Sequence, residues 1–219
     1  MRIPNPYYEL FNSLVYTRQY RWGRWWGARS DYWVGYRHWR RAIRSSSRLS
    51  ISGPEKLTVI LLSYKRVRNM EPIAEAALRC DFVDKVVVSN NNPEVRIGDW
   101  IRLRDERLVL IDQPRRTPPG SRFRLARQEP GFFFLSIDDD VLLTPEQIRI
   151  LLAAMVARPG APHGIHGENY LGDAKPGYPP YWEVNQLGRD MQVDNLNTVY
   201  GFTRGHLNEM ARLAECLGI

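Results

Sequence analysis

Phe132-Phe133-Phe134-Leu135-Ser136-Ile137-Asp138-Asp139-Asp140 joins an apolar run to three consecutive carboxylates. A run this apolar suits a strand covered on both faces, as in a parallel sheet between helix layers. Like charges at its tip raise one another's pKa, and a divalent cation among them reverses that cost. An all-oxygen ligand set suits Mg²⁺ or Mn²⁺ rather than Zn²⁺, and such ions keep waters and bridge to phosphates. The run therefore reads as a metal–diphosphate site at the carboxyl end of a central strand, where open α/β sheets place their ligands. The bland alternative is an acidic turn or helix cap. A lone Asp pair would fit that better than a triplet behind an apolar strand.

The flanks extend the pattern. Upstream, Arg115-Arg116-Thr117-Pro118-Pro119-Gly120-Ser121-Arg122-Phe123-Arg124-Leu125-Ala126-Arg127 reads as a basic, phosphate-facing loop. Downstream, Thr144 can cap a helix, Pro145 suits its first position and Gln147 can close a capping box. Ile148, Leu151, Leu152 and Met155 give that helix its apolar face, and Arg158-Pro159-Gly160 stops it. Further strands are expected at Leu57–Leu62, Lys85–Ser89 and Leu108–Ile111. A helix carrying Met70, Ile73, Ala74, Ala77 and Leu78 lies between the first two. Later strands and loops fall in 163–170, 181–187 and 193–202, and a last helix carries Leu207, Met210, Ala211, Ala214 and Leu217. Alternating strands and helices predict an α/β fold with a mostly parallel, Rossmann-like sheet.

The net charge of +7 is unevenly spread over the 219 residues. Residues 1–50 hold ten Arg against Glu9 and Asp31, a net of +8, so the remainder is near neutral. They also hold 12 of the 25 aromatic residues. This arginine–aromatic extension, residues 1–52, precedes a domain at 53–219, with a linker running from Arg44 through Gly53-Pro54. Three roles fit the extension. It can pack as helices on the domain with Arg stems snorkelling. It can contact an anionic membrane surface peripherally. It can bind nucleic acid by stacking, the role that fits least well. Gly23, Gly27 and Gly35 argue against one unbroken helix. No run approaches a transmembrane span and no signal peptide is visible. Cys80 and Cys216 belong to no C-x-x-C and read as free thiols in a reducing, cytoplasmic compartment, with membrane contact at the inner face.

Assembled, four stretches resemble a GT-A nucleotide-sugar glycosyltransferase, best of all glycosyltransferase family 64, the exostosin C-terminal-domain type. They are Leu57-Thr58-Val59-Ile60-Leu61-Leu62-Ser63-Tyr64-Lys65-Arg66, Lys85-Val86-Val87-Val88-Ser89-Asn90-Asn91, Ser121-Arg122-Phe123-Arg124 and Leu135-Ser136-Ile137-Asp138-Asp139-Asp140-Val141. The resemblance spans roughly residues 56–215, a single-domain length. It implies a retaining enzyme that uses Mn²⁺ or Mg²⁺ to transfer a sugar from a UDP-sugar, often UDP-N-acetylhexosamine, to a glycan or polysaccharide. It places Tyr64, Arg66 and Arg68 around the uracil and phosphates, and Asn90 and Asn91 in the nucleotide pocket. Arg122 and Arg124 approach the nucleotide, and Ser121 stands where the family more often has Asn. Strand alternation turns Asp138 and Asp140 to one side and Asp139 to the other. Asp138 and Asp140 are then the metal candidates, with Asp138 and Asp139 as nucleotide contacts. Which single Asp holds metal and which the ribose stays open.

The resemblance also exposes a gap. Family members continue to an acidic helix and a late Arg, and this chain stops at Ile219, so the C-terminal part of the domain is expected to be missing. Glu168 and Asp194 are the candidate substitutes for the carboxylate near the anomeric carbon, ahead of Asp173, Glu183 and Asp190. The alternative is a shortened, non-catalytic GT-A domain that binds a nucleotide sugar or a partner protein.

Overall fold

The computed structural model describes residues 22–45, 50, 53–64, 66–139, 141–164, 167–170, 182–185 and 199–208. Its centre is β1 (Leu57–Ser63), buried at every position. Parallel to it on one side lie β2 (Val83–Asn90) and β3 (Leu108–Asp112), and on the other β4 (Phe133–Asp138). β7 (Val199–Thr203) closes the β4 edge antiparallel, giving the order β3-β2-β1-β4-β7. The Phe-rich run is thus an inner strand. Only Phe132 stays outside β4, 53% exposed.

Strand alternation sends each strand's side chains to two different cores. Leu57, Val59 and Leu61 of β1, with Phe133, Leu135 and Ile137 of β4, pack under α2 (Met70–Leu78) and α4 (Pro145–Ala157). Ile60 and Leu62 of β1 and Phe134 of β4 meet Leu125 and Ala126 of α3 (Ser121–Gln128), Phe202 of β7 and Leu207. The Phe134 and Phe202 rings stack with centroids 5.6 Å apart, and Phe123 meets Phe202 edge-on at 5.4 Å. Gly201 lets β7 lie against α4, because a Cβ there would come within 2.6 Å of the Met155 sulfur. The capping box of α4 forms: Gln147 N donates to Thr144 Oγ1 at 3.2 Å and Thr144 N donates to Gln147 Oε1 at 2.9 Å.

Two expectations need correction. Residues Trp22–Ser45 form one continuous helix, α1, in spite of three glycines. Each glycine costs about 1 kcal/mol relative to Ala, and tertiary packing outweighs that cost. Gly35, Trp39 and Ile43 recur at a four-residue spacing and are all buried, and Trp39 and Ile43 join the α2–α4 core. Trp39 Nε1 donates to Leu143 O at 3.0 Å, and Arg40 pairs with Glu75 of α2. The helix also takes in Arg44 and Ser45, the expected start of the linker. Second, the basic segment is not all loop: from Ser121 onward it is α3, which buries Arg122, Leu125 and Ala126 against the sheet.

β5 (Gly167–Tyr170) and β6 (Trp182–Asn185) form a separate antiparallel pair. The last helix begins at 204–208, and its expected Met210, Ala211, Ala214 and Leu217 lie outside the described residues. No helix among the described residues is long and apolar enough to cross a membrane.

Cys80 is buried, and burial pushes its thiol up to about 12. In a Cys216→Ser background, the native chain should react with a thiol reagent at pH 8 on the order of a thousand-fold more slowly than free cysteine, because the thiolate is that much scarcer. Urea should restore the ordinary rate.

Candidate functional site

The sheet order reverses direction between β1 and β4. β2 and β3 follow β1 on one side, and β4 returns to the other. The crevice at the carboxyl ends of such a strand pair is the usual ligand position in an open α/β sheet. Leu62 stands opposite Asp138 in the β1–β4 register and Ser63 opposite Asn90 in the β1–β2 register. The three strand ends therefore deliver Ser63-Tyr64, Asn90-Asn91 and Asp138-Asp139 to one place. A cleft of about 190 Å³ opens there, lined among others by Tyr64, Arg66, Asn91, Arg122, Asp138 and Asp139.

The neighbouring carboxylates turn to opposite sides. Asp138 faces α3, where Arg122 Nη2 donates to its Oδ1 at 2.8 Å. Arg122 is held on every arm: Nη1 donates to Ser136 Oγ at 3.2 Å, and Nε donates to Pro119 O at 2.9 Å. The Arg122 side chain is 5% exposed, while that of Asp138 is 23% exposed and reaches the cleft. Asp139 turns instead toward the loop after β1. Its Oδ2 accepts from Tyr64 N and Arg66 N, each at 3.0 Å, and its Oδ1 accepts from Arg66 Nη1 at 2.9 Å. Its carbonyl accepts from Asn69 Nδ2 at 2.8 Å. Asp139 therefore ties the tip of β4 to the β1 loop and sets the course of Tyr64 and Arg66.

This arrangement gives a local prediction. In Asp139→Asn both loop amides lose the charged acceptor they share, costing about 1–3 kcal/mol. Amide exchange at Tyr64 and Arg66 should quicken well beyond that of β1 itself. Unchanged exchange at both amides would contradict the tie.

The two asparagines divide in the same way. Asn90 is consumed by structure: its Nδ2 donates to Val95 O at 2.6 Å and Asp112 Oδ1 at 2.8 Å, and its Oδ1 accepts from Asn92 N at 3.0 Å. Asn91 lines the cleft, and its Oδ1 accepts from Thr117 Oγ1 at 2.8 Å. Ser121 lies behind it, its Oγ 3.2 Å from the Thr117 hydroxyl.

Other expected residues fall elsewhere. Arg68 is exposed on the short turn Val67–Asn69, and Arg124 is exposed on the outside of α3; neither lines the cleft. Glu168 belongs to β5. Asp140 and Asp194 lie outside the described residues.

Sequence reading assigned no individual role to Arg116, Thr117 and Pro119, which also line the cleft. The Arg116 guanidinium sits 4.4 Å from the centre of the Tyr64 ring, within cation–π reach. The signal for them was the Arg115–Gly120 segment as a whole. Only the fold shows which of its residues turn inward.

The described cleft residues thus set three guanidinium groups (Arg66, Arg116 and Arg122) beside two carboxylates and one aromatic ring. Among the described residues no three His, Cys, Asp or Glu gather as a complete metal cage. Mg²⁺ and Mn²⁺ sites on phosphate ligands need less, since one or two carboxylates plus waters and phosphate oxygens suffice. Asp138 supplies one such carboxylate at the cleft, so the residues present fit that donor set.

No protein-family model matches the chain, and no curated protein matches its sequence. Among solved structures it is similar to 4-diphosphocytidyl-2C-methyl-D-erythritol synthase from Anaerococcus prevotii, with 12% identity and a TM-score of 0.50 over 74% of this chain and 76% of that one. Weaker likenesses are to a CMP:2-keto-3-deoxy-manno-octonic acid synthetase complexed with CTP (12% identity, TM-score 0.46, 73% of this chain and 78% of that one) and to TarS residues 1–349 of S. aureus (18%, 0.35, 47% and 32%). At such identities the similarity speaks for the fold: a Rossmann-like α/β sheet, mostly parallel and flanked by helices.

Proposed function

We propose that the chain is a metal-dependent glycosyltransferase of the GT-A type, most similar to glycosyltransferase family 64, which transfers a sugar from a UDP-sugar to a glycan or polysaccharide acceptor with retention. The observation that carries this reading is the cleft at the sheet's reversal point, where a carboxylate at a strand tip shares one crevice with three guanidinium groups. Glycosyl transfer expels a nucleoside diphosphate, and fixed cations aimed at that departing charge stabilise the transition state. In support, the fold neighbour in Anaerococcus is named for a diphosphocytidyl product. That link is one of fold alone; the chemistry rests on the cleft.

In this reading Asp138, with Asp140, would hold Mn²⁺ or Mg²⁺. When bound, the ion supplies charge neutralisation at the diphosphate. Arg66 and Arg116 approach the phosphates, Arg122 fixes the Asp138 carboxylate, and Tyr64 offers its ring to the base. Asn91 and Thr117 present uncharged polar groups on the β2 side. Asp139 acts through the loop it anchors. An N-acetylhexosamine donor is the specific form the family resemblance favours. Glu168 and Asp194 are the proposed carboxylates at the sugar.

The test is UDP release by the full chain from a panel of UDP-sugars with Mn²⁺ and a glycan acceptor. Release that requires metal and falls in Glu168→Gln or Asp194→Asn supports transfer. A second reading has its own support, because Asp138 and Asp139 are each already paired with an Arg. Such a site suits binding without turnover. Saturable UDP binding without release from any donor would establish that non-catalytic module instead.

A further inference from the structure

From Trp33 to Ser45, helix α1 divides into two faces. At about 100° per residue, the buried Gly35, Trp39 and Ile43 lie on one side. Trp33, Val34, Arg37, His38, Arg41 and Arg44, all exposed, fall within an arc of about 140° on the other. Trp33 is 50% exposed and Val34 is 52% exposed. Arg37, Arg41 and Arg44 have no carboxylate within ion-pair distance among the described residues, unlike Arg40, which pairs with Glu75. Over its whole length the helix carries six Arg and a single acid, Asp31.

The inner face is spent on the domain, since Trp39 and Ile43 belong to the α2–α4 core and the Trp39 indole N–H is bonded to Leu143 O. The outer face is therefore presented by a helix packed on the domain. It combines an apolar aromatic step with successive turns of exposed Arg. That pairing of groups matches a bilayer interface, where indole rings settle at the headgroup level and guanidinium groups meet lipid phosphate. Nucleic acid would use the arginines equally well, but it gives an exposed aliphatic such as Val34 nothing to enter.

We propose that this face of α1 docks the protein in the plane of an anionic lipid surface, as a peripheral contact independent of the cleft. The charge argument predicts salt-sensitive binding. Each basic residue near an anionic surface contributes about five-fold in partition, so removing three should cost on the order of 100-fold.

Co-sedimentation of the full chain with vesicles tests this. Mixed phosphatidylcholine–phosphatidylglycerol vesicles should carry the protein down, and pure phosphatidylcholine vesicles should not. Arg37→Gln/Arg41→Gln/Arg44→Gln should lower partition on the order of 100-fold, with unfolding midpoint and nucleotide binding unchanged. Trp33→Ser should weaken partition separately, without altering its salt dependence. Three outcomes would overturn the proposal: no partition onto anionic vesicles, partition indifferent to the triple substitution, or tighter binding to single-stranded RNA than to the vesicles at the same salt. None of these bears on whether the cleft takes a nucleotide.

Discussion

Arg122→Ala should lower the free energy of unfolding by about 2–4 kcal/mol and weaken metal-dependent nucleotide binding in the same stroke. The guanidinium is buried and engages three acceptors: Pro119 O, Ser136 Oγ and Asp138 Oδ1. Truncating the buried guanidinium leaves Asp138 without its counter-charge, a loss moderated because that carboxylate is 23% exposed at the cleft. The carbonyl and hydroxyl left behind add to it. Arg122→Lys keeps the charge but cannot reproduce the planar fork, so it should recover only part of the stability. Arg124→Ala, on the exposed side of the same helix, should stay within about 0.5 kcal/mol of the parent. Urea unfolding of the three variants checks the order. An Arg122→Ala chain as stable as Arg124→Ala would mean that the α3–β4 clamp contributes little.

Asp138→Asn should act on ligand binding more than on the fold. The substitution keeps the shape of the side chain and an acceptor for Arg122, so the chain should stay folded, with a stability loss of about 1–3 kcal/mol. It removes the charge that would hold a divalent ion at the cleft. Metal-dependent affinity for UDP should therefore fall on the order of 100-fold, at the upper end of what even the supporting shell of a metal site commands. Binding measured with chelator present should change little. The comparison with Asp139→Asn is informative because the two residues are chain neighbours with opposite tasks. Asp139 spends its oxygens on Tyr64, Arg66 and their backbone. Its substitution should loosen the loop and weaken binding with and without metal alike.

The fold was legible where burial is uniform. The runs Leu57–Leu62 and Phe133–Ile137 are apolar because both faces of each strand are covered, and the alternation of strands and helices then fixes a mostly parallel sheet. The Thr144–Gln147 capping box was legible because it is local: two residues three apart satisfy each other. The N-terminal helix was not. Three glycines say break, and the buried Trp39 and Ile43 that override them depend on α2 and α4, elements distant in the chain. The helix before β4 is hidden in the sequence for a related reason. The arginines and prolines of that segment read as loop, whereas α3 is held by Leu125, Ala126 and the buried Arg122 against β1 and β4.

Within the site, residue type was legible and orientation was not. Asn90 and Asn91 are indistinguishable in sequence, yet one stitches β2 to β3 and the other lines the cleft. Asp138 and Asp139 differ only by the half-turn of a strand. Arg116 enters the cleft because the chain between β3 and α3 folds back over Tyr64, a contact that no spacing rule encodes. What sequence supplied was the collection of charges; what the sheet's reversal point supplied was their convergence.

Calorimetric titration of UDP into the full chain, with and without Mn²⁺ and in wild type and Asp138→Asn, puts the cleft to its most direct trial. Saturable one-site binding that tightens with the metal in wild type, and that with metal present weakens on the order of 100-fold in the variant, is the predicted result. No binding of UDP with Mn²⁺ or Mg²⁺, or equal affinity in the two proteins, would contradict a metal-held diphosphate at the tip of β4.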